Sequence, residues 1–93
     1  MTNKRYKDIW DAIGEGPATT ENLKIRASLM YKLTTFIAAE GMTQAEAAKR
    51  LGVTQPRISD LTRGKIDLFS IDTLVNMLSA AGLHVNVRVK RAS

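Results

Sequence analysis

The chain has 93 residues, with 14 Lys and Arg against 9 Asp and Glu, a net charge of +5 and 44% hydrophobic residues, which is the size and composition of one small domain with a single core. No run of about 18 apolar residues and no uninterrupted apolar leader is present, so the sequence predicts neither a membrane span nor export and points to the cytoplasm. With no Cys and a single His, His84, disulfides, thiolate chemistry and Cys/His metal sites are excluded; no paired acid and base, nucleophile–His pair or phosphate-cradling glycine loop stands at a useful spacing, so neither an enzyme nor a cofactor is expected.

The first break is Gly14-Glu15-Gly16-Pro17, which sets residues 1–20 apart as an N-terminal arm. Within the arm Ile9, Trp10 and Ile13 lie at helical spacing, so a short helix there can lay these side chains on the main body, with Trp10 as a packing anchor. From Glu21 the pattern is helical. Leu23, Ala27, Met30, Leu33 and Ile37 follow one 3.6-residue stripe, Ile25, Leu29 and Phe36 form a second beside it, and Gly41 stops the helix.

Thr43-Gln44-Ala45-Glu46 has the form of a capping box and opens a second helix of about two turns, ended by Gly52. Thr54 caps a third helix with Pro56 in its first turn and Ile58 and Leu61 on its buried side, ended by Gly64. Residues 65–69 form a connecting loop, and Ser70 with Asp72 opens a fourth helix carrying Ile71, Leu74, Val75 and Leu78 until Gly82. Beyond Gly82 the period changes from 3.6 to 2: Leu83, Val85, Val87 and Val89 alternate with His84, Asn86, Arg88 and Lys90, which predicts a half-buried strand. Met30, Met42 and Met77 read as core fillers and His84 as a surface residue.

Residues 1–41 carry six basic and five acidic side chains, whereas residues 42–93 carry eight basic and four acidic. Two short helices joined by a tight glycine turn, inside that basic half, form the minimal apparatus for placing a helix in the DNA major groove. Ala48 is small where the helices cross, Gly52 permits a positive φ in the turn, Val53 plugs the angle between the helices, and Ile58 and Leu61 anchor the second of them.

On Thr43, Gln44, Ala48, Gly52, Val53, Thr54, Ile58, Ser59, Leu61 and Gly64 the sequence resembles the phage repressor and Cro type of helix-turn-helix proteins, also called the xenobiotic-response-element (XRE) family. Through the loop Gly64-Lys65-Ile66-Asp67-Leu68-Phe69 and the terminal strand it is most similar to the HigA-type antitoxins within that family. The resemblance implies a mainly α, lambda-repressor-like domain of four to five helices, a homodimer that represses its own operon, and a small toxin protein as a further partner. The expected division is an arm over 1–20, a helix-turn-helix domain over 21–82 with its core at 43–63, and a dimerisation strand with a basic tail over 83–93.

Contact residues follow from helical geometry. With Ile58 and Leu61 inward, Pro56, Ser59, Asp60 and Arg63 lie opposite, while Thr54, Gln55 and Arg57 project from the first turn. Base reading is expected from Gln55, Arg57, Ser59 and Asp60: Gln55 suits adenine N6/N7 and Arg57 guanine O6/N7, while Asp60 either accepts from cytosine N4 or holds Arg57 or Arg63 in place. Thr43, Gln44, Thr54, Arg63 and Lys65 stand at helix ends, where backbone amides and side-chain donors meet phosphates. Lys49 and Arg50 read as a solvated face. The strand residues Leu83, Val85, Val87 and Val89 need a partner strand that the chain lacks, so they are expected to pair with a second copy and to present two recognition helices to a pseudo-palindromic duplex with half-sites about 10 bp apart. Two rival readings, an RNA-binding module and a protein-interaction module, share the positive charge; against the first stands the absence of interleaved aromatics, against the second the residues Gln55 and Arg57.

Overall fold

Helix α1 (Pro17–Ala39) begins on a proline, whose missing N–H costs nothing in a first turn and whose fixed φ already suits the helix. The computed structural model describes residues 17–91. Residues 17–20 are helical, so helix α1 reaches ahead of the Glu21 expected from the sequence. Ile9, Trp10 and Ile13, with the short helix expected around them, lie outside the described residues. After α1 come α2 (Gln44–Leu51), α3 (Gln55–Thr62), a single 3-10 turn (Ile66–Leu68) and α4 (Ile71–Ala80).

The caps read from the sequence are in place. Thr43 Oγ1 accepts from the Glu46 amide at 3.1 Å while the Thr43 amide donates to Glu46 Oε1 at 2.8 Å, so both halves of the capping box form. Thr54 and Ser70 cap α3 and α4 in the same manner, accepting from the amides of Arg57 and Thr73. At the end of α1 the Met42 amide reaches Ile37 O and the Gly41 amide reaches Ala38 O, a Schellman closure that folds Met42 back onto the core.

The core joins Met30, Leu33 and Ile37 of α1 to Ala47, Ala48 and Leu51 of α2, Ile58 and Leu61 of α3, Phe69, and Leu74, Met77 and Leu78 of α4. Ile58 and Leu61 are 0% and 1% exposed, and burying each contributes about 1.5–3 kcal/mol. Their consequence is local: α3 has no apolar face left over and is fixed to the body by two side chains, leaving its other side to solvent. On α1 the burial is uneven. Leu29 and Phe36 are half-buried, but Ile25 is 42% exposed, so the second stripe is only partly covered.

Lys49 and Arg50 are exposed, as expected of a solvated face, but Arg50 also reaches back to the body. Its guanidinium lies 5.3 Å from the centroid of the Phe36 ring and donates to Ala81 O at 3.4 Å, bridging α1, α2 and the end of α4. Among the described residues no helix is long and apolar enough to cross a membrane.

The expected C-terminal strand is not formed. Residues 83–91 carry no regular secondary structure; Val85 packs against the core, whereas Leu83, Val87 and Val89 are 38%, 82% and 90% exposed. Alternation fits an extended chain, but a strand is defined by its ladder, and no other described segment is extended to supply one. In the single chain only Val85 of the four packs against the core.

Candidate nucleic-acid interface

The turn between α2 and α3 sets the geometry. Gly52 sits at φ 72° and ψ 30°, and the amides of Gly52 and Val53 both donate to Ala48 O. Val53 is half-buried against the core, so it fills the angle between the helices as its position implied. Beyond it, α3 presents its N-terminus to solvent: Gln55 and Pro56 are exposed, Ser59 and Asp60 half-exposed, and Thr62 and Arg63 exposed. Gln55, Ser59 and Arg63 follow one another at i, i+4 spacing and form one stripe along the outward side.

Helix ends carry the remaining candidates. Thr43 and Gln44 are exposed at the start of α2, Thr54 at the start of α3, and Lys65 just beyond Gly64. The two threonine hydroxyls are occupied as acceptors by their caps, which leaves each O–H to donate to an anion. The structure therefore brings Thr54, Gln55, Ser59, Asp60 and Arg63 together on α3, with Thr43 and Gln44 at the neighbouring helix end.

Asp60 lies between two arginines. Its Oδ1 accepts from Arg63 Nη2 at 3.4 Å and its Oδ2 is 4.0 Å from Arg57 Nη1. Of the two roles left open for Asp60, the one seen in the free chain is that of holding these cations. The Arg57 side chain is 40% exposed and turned toward the loop after α3. Its Nη1 donates to Leu68 O at 3.1 Å, and its guanidinium covers the Phe69 ring at 5.4 Å from the centroid.

Sequence reasoning missed one contributor entirely. Arg26 of α1 donates through Nη1 to Ile66 O at 3.1 Å and to Phe69 O at 3.5 Å, with its Nε on Asn22 Oδ1 at 2.7 Å. It fastens the loop after α3 to α1. The sole sequence signal is Asn22-x-x-x-Arg26, an i, i+4 pair that occurs on any solvated helix face.

Over residues 12–90 the sequence matches the family model described as "Helix-turn-helix domain". A solved structure described as an XRE family transcriptional regulator superposes with a TM-score of 0.73 at 32% identity, covering 78% of this chain and 82% of that one. No curated protein matches the sequence significantly.

Proposed function

The chain belongs to this helix-turn-helix domain family, and from that premise we propose that it is a transcriptional regulator that binds double-stranded DNA in a sequence-specific manner. The observation that carries the reading is the combination at α3: a helix of 8 residues, fixed from behind by Ile58 and Leu61, with Gln55 and Ser59 outward at its N-terminal end and Arg63 and Lys65 at its C-terminal end. A helix held in this way enters a major groove as a rigid body. Gln55, Ser59 and Asp60 then face base edges, while Thr43, Gln44, Thr54, Arg63 and Lys65 grip phosphates on either side.

The finer reading is a homodimeric repressor of its own operon, paired with a small toxin protein, and it rests on the resemblance of the 64–69 loop and the C-terminal pattern to HigA-type antitoxins. The exposed Val87 and Val89, on a stretch that beyond the Leu83 amide has no backbone partners among the described residues, support the homodimer. Two copies joined there present two α3 helices to one face of a pseudo-palindromic duplex, about 34 Å apart.

Selection from a pool of randomised duplexes tests the function. The expected product is a pair of inverted half-sites separated by one helical turn. A pool that shows no enrichment over many rounds refutes sequence-specific DNA binding. Co-expression with the adjacent reading frame tests the toxin: recovery of the regulator alone removes the antitoxin role and leaves a stand-alone XRE-type regulator.

A further inference from the structure

Resting on the DNA-binding reading, we propose that Arg57 is a positioning residue, which fastens the loop after α3 so that Lys65 meets the DNA backbone, and is not itself a reader of bases. Arg57 leaves α3 at the margin of the outward face, away from the stripe of Gln55, Ser59 and Arg63. Its guanidinium is engaged through one face and through Nη1, which turns it toward the loop rather than along the outward stripe. The planar face covers the Phe69 ring, one N–H edge donates to Leu68 O at 3.1 Å, and the Asp60 carboxylate lies 4.0 Å away. Phe69 is 1% exposed and part of the core, so the stack ties Arg57 to a point that does not move.

Phe69 and Ile66 pack the loop on the core, and the carbonyls of the loop are what the arginines fasten. Between Gly64 and Ser70 lies a single 3-10 turn of 3 residues with no side-chain cap, a form with poor hydrogen-bond geometry that persists only in short pieces. Arg26 takes the Ile66 and Phe69 carbonyls from the α1 side, and Arg57 takes the Leu68 carbonyl from the α3 side. Two arginines thus clamp one loop between the two helices. Lys65 sits at its first position, exposed; its amide is bonded to Asp60 O at 3.0 Å and its carbonyl accepts from the Leu68 amide at 3.0 Å, so it joins the end of α3 to the residue whose carbonyl Arg57 holds.

The test uses the full chain, the duplex enriched by selection and a random duplex, with affinity measured by fluorescence anisotropy over a range of salt. Arg57→Ala is expected to weaken both duplexes by the same factor and to lower the log–log salt slope by about 0.9 per protomer, the loss of one phosphate contact. Adding Lys65→Ala to Arg57→Ala is expected to change little more, since the contact is already lost. Arg57→Lys keeps the charge but not the planar edge, and is expected to behave as Arg57→Ala. Repeating the selection with Arg57→Lys, which is the variant least prone to unfold, should return the wild-type sequence. A selected sequence that changes at one base pair, or full additivity of Arg57→Ala with Lys65→Ala, overturns the positioning role while the DNA-binding reading stands. Wild-type protein that prefers no duplex overturns both.

Discussion

The turn that aims α3 makes a quantitative prediction at Gly52. A Cβ built there meets nothing within 4 Å, so crowding contributes nothing and the cost of Gly52→Ala lies in the backbone. Holding an L-residue at φ 72° costs roughly 1–2 kcal/mol, and the lower entropy of the unfolded chain offsets about 0.4–1 kcal/mol of it. The net destabilisation is about 1 kcal/mol, which for a domain of this size lowers Tm by roughly 4–8 °C. Gly52→Asn should cost less, because a short polar side chain tolerates the left-handed region, and Gly52→Val more, because a β-branched one does not. Thermal melts followed by circular dichroism give the ranking, and DNA affinity well below Tm gives a second readout. If the turn holds its conformation, affinity of the folded protein is unchanged for Ala and Asn. Equal costs for Ala, Asn and Val would refute the argument from φ. Unaltered stability with lost DNA binding would refute it differently, since the turn would then have relaxed and carried α3 with it.

Three further outcomes follow from the interface. Asp60→Asn removes the carboxylate that draws Arg57 and Arg63 together, so binding to random duplex should tighten more than binding to the selected site, and the ratio of the two affinities should fall; a proportional loss on both would show that Asp60 serves only to hold the fold. Gln55→Ala should cost about 1–3 kcal/mol on the selected site and relax preference at one base position; an equal loss on random DNA would move Gln55 to the phosphate set. Val87→Lys with Val89→Lys alters side chains that are 82% and 90% exposed, so folding should be unaffected, whereas the protein should sediment as a monomer and bind each half-site independently. A dimer that survives the double substitution would move the two-fold contact away from this segment.

The parts of the fold that were legible in the sequence are those whose physics is local. The capping box at Thr43 closes over three residues, Pro56 sits where no amide is needed, and the buried residues Met30, Leu33 and Ile37 recur at helical spacing within one element. The sequence places the start of α1 too late because a proline after glycine reads as a breaker, whereas proline is also tolerated in the first turn of a helix, and composition does not distinguish these. The C-terminal alternation failed for a different reason. A period of 2 records how side chains would face if the segment paired, but the pairing is a property of two segments, and the described residues hold one.

The same division separates the readable part of the interface from the rest. Which side of α3 is outward follows from Ile58 and Leu61 alone, and so the exposure of Gln55, Ser59 and Arg63 was within reach. Arg57 is set about 40° from Leu61 and about 100° from Ile58, at the edge of the buried side, where helical geometry leaves its direction undecided. What decides it is a ring twelve residues ahead: the flat face of Phe69 and the Leu68 carbonyl compete with solvent for a guanidinium that stacks and donates at once. Arg26 takes its carbonyls from forty residues ahead, and no spacing rule connects such a pair. Long cationic side chains on a basic DNA-binding domain are therefore poorly sorted by position alone. Those that reach carbonyls of a distant segment, as Arg26 and Arg57 do, shape the loops, and those whose partners lie on their own helix, such as Arg63 with its side chain 59% exposed, are left to meet the polyanion.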